Sequence, residues 1–110
     1  MQSSANGDRN STLRHAVDET LISLGPSIQE TVMWHMNNRG VFSDPRFLSI
    51  DLLYENLLEL MGPYAEEIID LTWEQLQKKY RAQSDLKSRK AIDKIKTWLD
   101  TEGGELKNGT

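Results

Sequence analysis

The residues of this chain that could do chemistry are few, and they recur at the spacing of helical turns. His35 stands between Trp34 and Met36 in an apolar stretch. An imidazole there could titrate near neutral pH or hold a ligand; the plainer expectation is a partly buried ring with one hydrogen bond. His15 has Glu19 four residues on, the spacing of an ion pair on a helix surface. Glu55 and Glu59, and likewise Glu66, Asp70 and Glu74, are one turn apart. A di-metal bundle would add Glu-x-x-His pairs projecting inward. The residues three before His15 and His35 are Thr12 and Val32, so a solvated acidic face is expected and no metal site. The chain has no cysteine, which removes thiolate catalysis, thiolate metal sites and disulfides together. It also has no phosphate-binding glycine loop, dinucleotide fingerprint or serine elbow. The expectation is a protein that is not an enzyme, with no catalytic residue and no cofactor.

Two features point to partners instead. Lys87, Lys90 and Lys94 fall on one helical face, with Arg89 and Lys96 beside them, a stripe that could neutralise nucleic-acid phosphates. Residues 13–38 also permit a helix-turn-helix reading. Their second helix, however, has no Arg or Lys before Arg39 and so makes a poor reader of base edges. The other feature is aromatic. Of Trp34, Trp73 and Trp98, Trp73 is expected in the core, while Trp98 is close enough to the end of the chain to be half exposed. With Ile95 and Leu99 it would form an apolar strip beside excess positive charge, a contact surface for a protein partner or a second copy. The expected interaction residues are therefore Ile95, Trp98, Leu99, Lys87, Lys90 and Lys94.

The elements that must position these groups are helices. The 110 residues suit one domain with a single core. A Ser11 or Thr12 cap opens a first stripe of Leu13, Ala16, Val17, Thr20, Leu21 and Leu24. Gly25-Pro26 forms an elbow, and Ser27 with Glu30 has the spacing of a capping box for a second helix to about Asn38. Val41 to Leu48 is a connector whose Val41, Phe42, Phe47 and Leu48 should plug one end of the core. Ser49 caps a third helix with a wide apolar face, Ile50 to Met61, and Gly62-Pro63 repeats the elbow. Ala65, Ile68, Ile69, Thr72, Trp73 and Leu76 stripe a fourth helix to Tyr80. No Gly or Pro separates Gly62 from Gly103, so residues 63–99 could be one helix, or two with a cap at Ser84 or Asp85.

Charge is segregated along the chain. Residues 44–74 hold eight acids against Arg46 alone, a balance of −7; residues 78–96 hold eight bases against Asp85 and Asp93, a balance of +6. Such a split either neutralises itself within the fold or marks a partner. The net charge is −4. No apolar run approaches the roughly 18–20 residues that span a bilayer, and residues 1–10 lack the apolar core of a signal peptide. A cytoplasmic protein is expected, with no membrane partner. The sequons at Asn10 and Asn108 are then chance matches.

Leu21-Ile22-Ser23-Leu24-Gly25-Pro26-Ser27 followed by Trp34-His35-Met36 resembles the Nitrosopumilus-type small helical output-domain family of ammonia-oxidising archaea. Leu57-Leu58-Glu59-Leu60-Met61-Gly62-Pro63-Tyr64-Ala65-Glu66-Glu67-Ile68-Ile69 is similar to that family's later helices. The likeness covers roughly residues 13–80. Val41-Phe42-Ser43-Asp44-Pro45-Arg46 stands where the family has a more acidic connector, and the basic segment after Tyr80 lies beyond it. The resemblance implies a signal-output or interaction module and carries over no catalytic residue. The chain is thus expected to be all-α: a compact bundle of four helices over about 12–80 and a C-terminal helix over about 84–100. Residues 1–10 are expected to be a disordered lead-in and residues 101–110 a flexible tail. The expected role is a non-enzymatic interaction or signal-output module in archaeal regulation, with a homodimer as one form. A nucleic-acid-binding domain using residues 78–96 is the alternative.

Overall fold

The computed structural model describes residues 4–44, 47–83 and 90–108, with side chains over 9–44, 47–83 and 90–100. Among these residues the fold is all-α, in the order α1 (Ser4–Ser23), α2 (Pro26–Asn38), α3 (Ile50–Met61), α4 (Tyr64–Tyr80) and α5 (Ala91–Asn108). α1 and α4 pack along each other at the centre. α5 lies against both and also touches α3, whereas α2 packs only on α1 and α3 at the periphery. Leu13, Ala16, Val17 and Leu21 of α1 meet the core with Ile68, Ile69 and Leu76 of α4, Leu53 and Leu57 of α3, and Val32 and Met36 of α2. Of the connector's four apolar residues, Val41, Phe42 and Leu48 plug the core as expected, while Phe47 turns outward.

The helix boundaries follow local chemistry, with three corrections to the sequence reading. Ser49 caps α3 as expected, its Oγ accepting from the Leu52 N–H at 3.2 Å. The Ser27–Glu30 capping box does not form. Proline occupies the first turn of α2, where its missing N–H costs nothing, so Gly25 is the N-cap and Ser27 is already helical. Gly25 sits at φ 104°, ψ 159°, a conformation close to exclusive to glycine. In the basic half of the chain the structure decides between one helix and two, in favour of two. α4 ends at Tyr80 because Arg81 turns left-handed (φ 58°, ψ 33°), its N–H and that of Ala82 both reaching the Leu76 carbonyl. Ala82 is then buried, so packing holds a break that no Gly or Pro announces. The expected caps Ser84 and Asp85 lie outside the described residues.

The second and third corrections are at the ends. α1 begins at Ser4, inside the stretch expected to be a disordered lead-in. No proline interrupts residues 4–12, and Arg9 is anchored on α5: its guanidinium lies 4.9 Å from the Trp98 ring centroid and donates to the Trp98 carbonyl. α5 likewise continues through Gly103-Gly104 to Asn108, where a flexible tail was expected. Glycine weakens a helix by about 0.8–1 kcal/mol relative to alanine but does not exclude helical dihedrals.

The caps give a paired test. Ser49→Ala should lower the unfolding free energy by about 1 kcal/mol, whereas Ser27→Ala should stay within about 0.5 kcal/mol of the parent, both read by urea denaturation.

Candidate interaction surface

The structure redistributes the residues expected to form the contact strip. Ile95 is fully buried and Trp98 is 6% exposed, both within their own chain; Leu99 is half-buried against the core. They are core residues and present no apolar strip to a partner. The physical reason for Trp98 is the extended α1: the helix begins at Ser4 and holds Arg9 over the Trp98 ring.

The basic residues are mostly engaged. Lys96 Nζ lies 3.2 Å from Asp51 at the start of α3, and Lys79 lies 3.0 Å from Glu19 of α1. Lys94 stands close enough to Asp70 of α4 to oppose the shift in that carboxyl. Lys90 is exposed just before α5, and Lys87 lies outside the described residues. Pairing of α5 with α3 and of α4 with α1 therefore absorbs part of the segregated charge.

On α4, Glu66, Asp70 and Glu74 follow one another by turns with Glu67 beside them. Asp70 is pushed above the usual carboxylate range, first by partial loss of water and then by Glu66, Glu67 and Glu74. Tyr54 of α3 donates to Glu66, and that bond, with burial and the carboxylate charge, raises the phenol. Among the described residues no group of three or more His, Cys, Asp and Glu is placed to hold a metal ion. His35 is half-buried, and its Nε2 is covered without a hydrogen-bond partner among the described residues. Beside it, Arg39 meets Glu59 through two 3.0 Å hydrogen bonds that hold the Glu59 carboxyl below its ordinary range. His15 is exposed on α1.

A cleft of about 370 Å³ opens between α1, the start of α3 and α5, lined among others by Asn10, Phe47, Leu48, Lys96 and Leu99. Three of its polar residues are already engaged: Lys96 pairs with Asp51, and Ser49 accepts the Leu52 N–H. A site that fixes a small molecule needs convergent polar groups aimed inward.

The most exposed large apolar side chain among the described residues is Trp34, at 70%. At 100° per residue it stands about 200° around α2 from Val32, directly opposite the buried Val32–Met36 side. Ser27, Glu30, Thr31, Asn37 and Asn38 share its outer face, and all are exposed. α2 is also the least charged helix, with Glu30 its one acid and no Lys or Arg, in a chain that is 27% charged. By contrast, exposed Leu52 and Leu58 of α3 sit among Asp51, Glu55 and Glu59. A charge-poor face centred on tryptophan has the composition of an interface core. The sequence held the signal: Ile28, Val32, Met33 and Met36 define the inward stripe, and Trp34 falls outside it. Set against known proteins, the chain matches no family model, no curated protein and no solved structure.

Two measurements check this placement. Acrylamide should quench wild-type fluorescence strongly and Trp34→Phe weakly, and adding Arg9→Ala to that variant should restore quenching by uncovering Trp98. In carboxyl-carbon NMR titrations, Lys94→Gln should move the Asp70 midpoint further upward, since Lys94 is the group that opposes the shift.

Proposed function

We propose that this chain is a non-enzymatic protein-interaction module and that its contact surface is the outer face of α2, centred on Trp34. One observation carries the reading: a tryptophan held 70% exposed on the helix with fewest charges. An aromatic side chain of this size buries about 150–250 Å² in an interface, and at roughly 25 cal/mol per Å² its removal from water is a large driving force. The peripheral position of α2 leaves that face clear of the chain's other described helices. A role in signal output in the cytoplasm of an archaeon rests on the likeness of the elbow and helix motifs alone. Binding to nucleic acid has less in its favour, because Lys79 and Lys96 are paired to acids of the same chain and Lys94 faces Asp70.

A photo-crosslinking amino acid placed at position 34, with position 15 on α1 as the exposed control, tests the reading in the native cell. A discrete adduct formed at 34 and not at 15 is the expected result. No adduct at 34, or the same products at both positions, removes the proposal.

A further inference from the structure

The occupant of the α2 face can be argued from its own pattern. Trp34 lies where two side-chain rows cross: Glu30–Trp34–Asn38 at four-residue spacing and Thr31–Trp34–Asn37 at three. A two-fold axis through Trp34 sets an antiparallel copy of α2 against the first, because a closed dimer contact uses the same patch twice. In that register residue 30 of one copy meets residue 38 of the other, and residue 31 meets residue 37.

The chemistry at those pairs is complementary. Glu30 offers only acceptors, and the Asn38 side-chain amide offers two donors. Thr31 can donate to the Asn37 side-chain oxygen or accept from its amide. Both pairs occur twice by symmetry, flanking offset Trp34 rings. None of these four side chains has a hydrogen-bond partner among the described residues. A parallel copy would instead set Glu30 on Glu30, a like-charge contact. The outer face carries no other ionisable group, so the antiparallel pair meets no repulsion.

We infer that the partner of this surface is a second copy of the chain, joined through α2 in antiparallel register with Trp34 on the two-fold axis. The inference rests on the assignment of the α2 face as the contact surface. The helix is 13 residues long, or about 20 Å, and one face of it buries less than the roughly 800 Å² per partner of a standard stable interface. The dimer is therefore weak and reversible, with a dissociation constant between about 1 µM and 1 mM.

The test is sedimentation equilibrium of the full chain up to about 1 mM, with far-UV circular dichroism confirming that each variant is folded. The wild type should self-associate, and Trp34→Ser should abolish association. Asn38→Asp sets a new carboxylate against Glu30 of the other copy at both symmetric positions, and should weaken the dimer about tenfold or more. Glu30→Lys combined with Asn38→Asp turns both contacts into opposite-charge pairs and should restore it. Positions 30 and 38 are two turns apart within a chain, about 12 Å, so such rescue reports the contact between copies. A wild type that stays monomeric to 1 mM, an Asn38→Asp variant that dimerises like the parent, or a double variant no better than the single overturns the inference. The adduct at position 34 separates the two levels. Twice the chain mass supports the second copy. Another mass with a monomeric chain overturns it while leaving the α2 surface assignment standing. No adduct sinks both.

Discussion

The seam between α1 and α4 is the contact on which the remaining helices depend. Leu13, Ala16, Val17, Thr20 and Leu21 on one side and Ile68, Ile69, Thr72 and Leu76 on the other are all shut off from water. Each large aliphatic side chain so buried contributes roughly 1.5–3 kcal/mol. In the middle, the Thr72 hydroxyl donates to the Ile68 carbonyl at 2.9 Å and lies 3.3 Å from the Thr20 hydroxyl. The Thr72 bond to Ile68 is internal to α4, so a slide of one helix along the other would break only the hydroxyl contact between Thr20 and Thr72. A polar contact inside the apolar seam thus favours one register of α1 against α4. α2, α3 and α5 dock against a platform whose alignment is already chosen.

Charge segregation along the chain becomes charge pairing across the fold. The basic residues of α5 and the end of α4 reach acids on three other elements: Lys96 to Asp51, Lys79 to Glu19 and Lys94 toward Asp70. These pairs are solvent-exposed, so each adds little stability, but the Lys96 and Lys94 contacts favour one placement of α5 and the Lys79 pair one alignment of α4 on α1. The Arg9 contact on Trp98 does more: it closes the end of the core between α1 and α5 and converts an aromatic residue near the chain's end into interior.

What remains outside this arrangement is α2. Among the described helices it packs on α1 and α3 alone, brings Val32 and Met36 fully inward, and leaves Trp34 standing in water with small polar neighbours. No helix among the described residues is long and apolar enough to cross a membrane. An exposed tryptophan on an otherwise charge-poor helix is costly to keep hydrated, a cost that burial against a partner would relieve.

The sequence by itself determined the helical class, four of the helix cores and most of the corners. Apolar residues at three- and four-residue spacing admit no other pairing of backbone and burial, and Ser49, Gly25 and Gly62 act through dihedral and hydrogen-bond preferences that are local. Tertiary structure alone decided the rest. The break at Arg81 needs the burial of Ala82 to hold a left-handed arginine. The helical start of α1 and the burial of Trp98 need each other, since Arg9 and that ring are 89 residues apart. With Trp98 enclosed, Trp34 is the most exposed large apolar side chain among the described residues. Local spacing could place Trp34 off the inward stripe of its helix. Only the packing of the other helices could leave that side of α2 uncovered.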